Sequence, residues 1–355
     1  MGGQTIRMLA QLLANGTTGS PTGTEDPTSN SLFAGGKDWV HSITTISTPN
    51  QGATLADALS EIGDTVVGLV VGTLSALNIG GSITEVVYDT KLDQWGITPK
   101  GAKETLKAYL ERVFASKIFA PGFKDVSLWS LSVPGAKEES TWVKTLPNVY
   151  YYSYSTLDTH GALDFLLRPI HVPNVLTMFP VFQPIGLFLG SRWTPDNGYG
   201  ANWQPNDGVV PLESQYRDFT GALVAFKGTS QIGKWNQMPV LNKMDHAAII
   251  GITLHTQVKD LYFAHAQLLT SLPVGAAAPT AASINSVDST TVSVAAATTA
   301  SFSVTTAISN LNIAAAGVQS KADIEKLCVS PANDFAKSYC TTLLSQASAS
   351  RRLRG

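Results

Sequence analysis

Asp207-Gly208 and Asp245-His246 are the pairs in this 355-residue sequence whose residue types could carry proton chemistry. An imidazole titrates near neutrality, so it can take a proton from a hydroxyl and return it later. A carboxylate beside it fixes the tautomer and stabilises the imidazolium. Read alone, neither pair identifies a reaction: Asp-Gly is a common turn pair, and a histidine beside a helix start is commonly structural. Cys328 and Cys340 both lie near the C-terminus, so no disulfide or thiolate–metal framework organises the body. One local bridge is the most they allow.

The elements that must position these residues alternate between helix and strand over residues 1–272, which predicts an α/β layer architecture. Ile6, Leu9, Ala10 and Leu13 recur at helical spacing and Asn15-Gly16 supplies a stop, so a helix is expected from about Gly2 to Ala14 with a glycine pair at its entry. Trp39 to Ile46 reads as a buried strand ended by Pro49-Asn50-Gln51-Gly52, and Val149 to Ser155 as a second. A loop around Leu241 to His246 leads into Ala247 to Gly251, and Val258 to Leu272 reads as an amphipathic closing helix. Leu55, Leu59, Ile62, Val66 and Leu69 fall on one helical face, with Asp57, Glu61 and Asp64 elsewhere. Residues 53–80 are therefore the candidate lid over an apolar cleft, with a buried core helix as the competing reading.

Composition bounds the partners. Lys and Arg number 24 against 26 Asp and Glu, a net charge of −2, so no basic field favours nucleic acid. Only 14% of residues are charged, against about 25% in a typical domain. Residues 273–320 supply part of the deficit: 28 of these 48 are Ala, Ser or Thr, and Asp288 is their one charge. They read as a linker or stalk, and 321–355 as a short helical tail. Thr65 to Thr84 is uncharged over twenty positions, but Asn78, its glycines and its hydroxyls argue against a membrane span. The N-terminus lacks an apolar run behind a basic start, so no signal peptide is read there.

The glycine pair, the Asp-Gly turn and the late Asp-His follow the chain order of an α/β-hydrolase, and several stretches together resemble one family of it. They are Gly2-Gly3-Gln4-Thr5 with Arg7-Met8-Leu9; Leu32-Phe33-Ala34-Gly35-Gly36; Ser42 to Pro49; Val87 to Gly96; Leu131-Ser132-Val133 with Gly135-Ala136; Asn206-Asp207-Gly208; and Asp245-His246. Residues 1–272 resemble the bacterial family I.5 triacylglycerol lipases, the Geobacillus and staphylococcal group. The stalk and tail carry no resemblance.

The resemblance implies an α/β-hydrolase fold and a carboxylic ester hydrolase, with His246 as general base and Asp207 as its orienting carboxylate. The family's nucleophile sits in Gly-His-Ser-x-Gly-Gly, a tight strand-to-helix turn. Met1 matches the x position, so the serine and the first part of the sheet would precede Met1, and the Met1 backbone N–H would be an oxyanion donor. The chain as written is therefore expected to be truncated and inactive alone. His41, His160, His171, His255 and His265 match no catalytic position and are expected to be structural or surface residues.

Family members hold a structural zinc with two Asp and two His, and Asp125 matches one ligand. Its partners would lie upstream, so this chain is expected to hold no metal, with zinc possible in a full-length form. The calcium ligands two and seven residues after the catalytic histidine correspond to Ala248 and Thr253, so no calcium site is expected. The implied partners are a lipid ester and an oil–water interface, and the implied location is extracellular. The alternative is a non-catalytic, wall-associated lipase remnant displayed on the stalk.

Overall fold

The computed structural model describes residues 2–17, 30–62, 92–99, 101, 103–104, 106–120, 122–192, 199–251, 258–273, 303–329 and 340. Met1, the candidate lid beyond residue 62, the uncharged stretch 65–84, the segment 274–302 and the tail beyond 329, Cys340 apart, lie outside the described residues.

The centre is a four-stranded, all-parallel sheet in the order β1 (Ser42–Ile46), β2 (Tyr150–Tyr154), β7 (Trp235–Gln237), β6 (Leu223–Ala225). Side chains along a strand alternate between faces, and β2 uses this with tyrosines. Tyr150, Tyr152 and Tyr154 enter one apolar cluster, and Tyr151 enters another with Ile43, Trp235 and Ala10. Ala10 belongs to α1 (Gly2–Asn15), which covers that second face. Both faces are thus buried, as a parallel sheet requires. Two small ladders extend the frame: β3 (Thr156–Leu157) pairs in parallel with β8 (Leu241–Asn242), and β4 (Thr159–Leu163) forms an antiparallel hairpin with β5 (Pro169–Pro173).

The glycine at position 3 has a steric reason. A Cβ there would run into the Thr48 side chain just past β1, so the first turn of α1 lies directly against the carboxyl end of that strand. Gln4 fastens the contact by donating from Nε2 to the carbonyls of Pro49 (3.0 Å) and Ser130 (2.9 Å). Arg7, one turn on, reaches across to Asp218 at 3.2 Å, and both side chains are buried.

The candidate lid begins with α2 (Thr54–Ile62), where Leu55 packs on Ile185 and Leu189. Asp57, expected away from the apolar face of this helix, is buried as well. It accepts the Val133 N–H (2.9 Å) and the Tyr199 hydroxyl (2.9 Å). A carboxylate at the first N–H of a helix meets both an orphan donor and the positive end of the helix dipole. The remaining helices of the body are α3 (Leu106–Phe114), α4 (Ser127–Leu131), α5 (Val133–Glu139), α6 (Gln183–Ser191), α7 (Leu212–Gln215) and α8 (Val258–Thr270).

The linker reading is corrected for its C-terminal part. Residues 304–316 form α9 (Val304–Ala316), capped by the Ser303 hydroxyl, which accepts the Thr306 N–H at 3.2 Å. Val304, Ala307, Ile308 and Leu311 join Tyr150, Tyr152, Tyr154 and the α8 residues Val258, Leu261 and Ala264 in one core cluster. Small residues suit this position because they let α9 approach closely, while the three large ones supply the apolar area. Asn312 adds a polar clasp: it donates to the Val240 carbonyl (2.9 Å) and accepts the Asn242 N–H (2.7 Å). A short α10 (Lys321–Leu327) follows with a Ser320–Asp323 capping box, and Cys328 is bridged to Cys340. Among the described residues no helix is long and apolar enough to cross a membrane.

Candidate active site

Asp207 and His246 come together beyond the carboxyl ends of the parallel strands, where open α/β sheets place their sites. His246 Nδ1 lies 2.8 Å from Asp207 Oδ2. The loops carrying them are also tied by backbone, with the His246 N–H donating to the Asp207 carbonyl at 3.0 Å. Asp207 is 0% exposed, whereas the His246 side chain keeps 34% of its surface, so one partner is fixed and the other is reachable.

The Asn206-Asp207-Gly208 turn explains how the carboxylate is aimed. Asn206 Oδ1 accepts the Gly208 N–H (2.8 Å), and its amide donates to the carbonyls of Gly186 and Gln204. Gly208 has φ +94, and a Cβ there would press on Phe182, so glycine is needed for both conformation and space. Asp207 Oδ1 accepts the N–H groups of Val209 (3.0 Å) and Val210 (2.8 Å), and Oδ2 accepts the Thr156 hydroxyl (2.8 Å) besides facing His246. Thr156 is held in turn by Gln215, whose Oε1 accepts its N–H (2.8 Å) and whose Nε2 donates to its carbonyl (3.1 Å). The Ser47 hydroxyl lies 2.7 Å from that of Thr156.

Burial pulls the His246 imidazolium towards losing its proton, but the Asp207 charge and hydrogen bond outweigh it and leave the pKa above the ordinary value. Such an imidazole is a stronger base when a hydroxyl needs its proton removed. Two further carboxyls stand close by. Burial lifts Asp245 to about 6 despite the N–H groups of Phe179, Ala248 and Ala247 that it accepts, and Asp207 adds to the rise. Asp158 is pushed well above the carboxylate range by burial, then by Asp245 and Asp207. Its Oδ1 accepts from Thr177 and Asn174, while Oδ2 is buried without a partner among the described residues. A protonated acid is the form that such a site accommodates.

These raised values set a sign. An acid with a raised folded pKa favours the folded state fully below about pH 4 and loses that contribution as pH rises through the folded value. For Asp245 the loss between about pH 4 and 6 is on the order of 3 kcal/mol. Asp158→Asn keeps the acceptor for Thr177 and Asn174 without an ionisable group. Its unfolding free energy, measured by urea titration, should match or exceed the parent's at pH 7, with the advantage gone at pH 4. A variant less stable at pH 7 than at pH 4, relative to the parent, would show that Asp158 is ionised in the fold.

The other expected residues fall elsewhere. His265 is buried under the sheet between the Thr44 hydroxyl (2.6 Å) and the Tyr154 hydroxyl (2.8 Å), and burial pushes its pKa down to about 4, so it is a neutral structural group. Asp125 is exposed and accepts the Trp95 indole N–H at 3.3 Å. No group of three metal-ligating side chains occurs among the described residues, and one exposed carboxylate does not fit a tetrahedral zinc site. Ala248 has no side-chain oxygen, its N–H is used by Asp245 and its carbonyl accepts the Gly251 N–H; Thr253, His255 and Met1 lie outside the described residues. Thr156, Gln215, Ser47 and Asp158 were not foreseen: each is polar, completely or almost completely buried, and belongs to no periodic or spaced pattern.

Residues 1–267 match the family model described as lipase-like, C-terminal domain. The chain belongs to this lipase family. A lipase of Staphylococcus epidermidis is 30% identical over 257 residues, covering 71% of this chain and 34% of that protein. A lipase of Staphylococcus hyicus is 29% identical over 276 residues, covering 75% and 40%. The chain thus spans about a third of the length of the first of these relatives. Among solved structures, EstA from Clostridium botulinum gives a TM-score of 0.66 at 36% identity, covering 77% of this chain and 63% of that one. Lipase 1 from Pelosinus fermentans gives 0.62 at 38% identity, covering 77% and 70%. The family match ends at residue 267, so α9, α10 and the disulfide lie beyond it.

Proposed function

We propose that this lipase-family chain supplies the acid–base half of a serine ester hydrolase acting on long-chain acylglycerols. One observation carries the reading: a fully buried, multiply bonded Asp207 holds Nδ1 of a reachable His246, which leaves Nε2 as the working nitrogen. In the reaction Nε2 takes the proton of a serine hydroxyl as it attacks the ester carbonyl. The imidazolium then returns that proton to the departing alkoxide, leaving an acyl-serine that water opens by the same steps in reverse order. The serine called for belongs immediately before position 1, and residues 1–355 on their own are expected to hydrolyse nothing.

Work outside the cell is part of the proposal, supported by the Cys328–Cys340 bridge, since such bonds persist in oxidising compartments. The segment 53–80 remains the proposed lid, and its apolar composition favours emulsified substrate over short soluble esters. The test begins with the coding sequence upstream of Met1. An in-frame Gly-His-Ser is expected, and the polypeptide that includes it should turn over emulsified triolein, with the activity abolished in His246→Ala. Turnover by residues 1–355 alone, or activity that survives His246→Ala, would overturn the reading.

A further inference from the structure

The β4–β5 hairpin presents an apolar tip that no packing requirement explains. Leu163 is 61% exposed, Phe165 89%, Leu166 57% and Leu167 76%. The turn that displays them is tightly built. The Asp164 N–H donates to the Arg168 carbonyl (3.0 Å) and the Leu167 N–H to the Asp164 carbonyl (2.9 Å). The Asp164 carboxylate accepts the N–H groups of Leu166 (2.8 Å) and Arg168 (2.9 Å) and the Arg168 guanidinium (2.7 Å). Leu167 occupies the left-handed position of this three-residue loop, with φ +60, where glycine or asparagine is favoured. A branched apolar side chain is therefore held in a costly conformation while remaining mostly in water. Neither local propensity nor burial accounts for it, and residues that break local rules without a packing gain are found where function sets the choice.

We infer that the Leu163–Arg168 tip is a docking element that inserts into the apolar layer of a lipid–water interface. The choice of occupant rests on the lipase reading, and three further observations favour a lipid over a protein. Four apolar side chains on one turn fall far short of the roughly 20–30 residues a side that a stable protein interface uses. A fluid apolar phase accepts such a tip without a complementary surface. The charges at the tip, Asp164 and Arg168, neutralise each other in an i,i+4 pair, so insertion carries no net charge and needs no anionic lipid. The hairpin is also continuous with the site: its base holds Asn206 through Thr159 Oγ1, which accepts the Asn206 N–H (3.0 Å), and through the Asp158 N–H, which donates to the Asn206 carbonyl (3.0 Å). Asn206 adjoins Asp207. On the other side Gly190 of α6 lies so close to the His171 carbonyl of β5 that no side chain would fit, which braces the hairpin.

Partitioning of the full chain tests this without any hydrolysis. Flotation with phosphatidylcholine vesicles and with triolein droplets should carry the protein to the lipid fraction, to the same extent when phosphatidylserine is added. Phe165→Ser should weaken partitioning roughly tenfold, and Phe165→Ser/Leu166→Ser by more. Leu167→Asn should move two readouts in opposite directions, raising Tm through relief of the left-handed strain while lowering partitioning. Because these side chains are exposed, the variants should keep the parent's circular dichroism. Partitioning unaffected by the variants, or no lipid binding by the parent, would overturn the inference. So would a parent dimer that Phe165→Ser converts to monomer with lipid binding unchanged. His246→Ala should partition like the parent, whereas a serine-containing polypeptide that floats but leaves triolein intact would sink the hydrolase reading and leave the docking element standing.

Discussion

Asp207→Asn is expected to lower kcat on emulsified ester by about 10⁴-fold in the serine-containing polypeptide, with little change in stability of the surrounding turn. Asparagine can keep an acceptor for the N–H groups of Val209 and Val210 and so preserve the loop. It then turns an amide N–H towards His246 Nδ1 or the Thr156 hydroxyl, and the first choice puts the imidazole proton on Nε2. A base whose working nitrogen is already protonated cannot receive the serine proton. The substitution also removes the charge that raises the His246 pKa, so the imidazole signal followed by NMR should titrate at lower pH than in the parent. In the parent, activity should fall with decreasing pH as His246 becomes protonated. A loss of less than tenfold, or an unchanged titration, would mean that Asp207 does not serve His246.

The second large effect concerns the buried Arg7–Asp218 pair. Asp218→Ala is expected to destabilise the fold by about 3–5 kcal/mol, because it leaves the buried Arg7 guanidinium without the carboxylate it is paired with. Burial raises the Asp218 pKa, but Arg7, the N–H groups of Gly221 and Thr220 and the Thr145 hydroxyl outweigh it and hold the group below the ordinary carboxylate range. Arg7 also approaches the Trp235 ring at 5.8 Å and contacts the Asn50 carbonyl, so the pair joins α1, the turn after β1 and the core of the sheet. Arg7→Met/Asp218→Leu should recover much of the loss, since an apolar pair leaves no charge behind. Urea midpoints of the three proteins separate these outcomes; a double variant no better than Asp218→Ala would mean that the ionic geometry itself is required.

Several elements were legible because their signals are local. The helix expected from Gly2 to Ala14 runs to Asn15, the strand expected from Val149 to Ser155 spans Tyr150–Tyr154, and the helix from Val258 ends at Thr270. The strand begun at Trp39 starts at Ser42 instead, and Trp39 is largely exposed. The pairing of Asp207 with His246 was implied by the family resemblance, since neither residue marks it when read alone. The residues that secure Asp207 left no trace, since Thr156 and Gln215 matter through partners 51 and 59 positions away. The segment holding α9 was misread because Ala, Ser and Thr dominated its average. Val304, Ala307, Ile308, Leu311 and Ala315 carried a helical period throughout, and Ser303 with Thr306 marked its start.

The seat of α9 and α10 bears on how this polypeptide can be divided. Ala247, next to His246, packs with Val318 and Ile324, while Asn312 grips Val240 and Asn242. A fragment ended at residue 267, where the family match stops, would bare part of the tyrosine face of β2 and loosen the strand that leads to His246. Supplied separately, residues 303–355 carry the apolar stripe and the asparagine clasp that fit the gap. The two pieces have the makings of a complementing pair, in which recovery of cooperative unfolding reports reunion of the fragments.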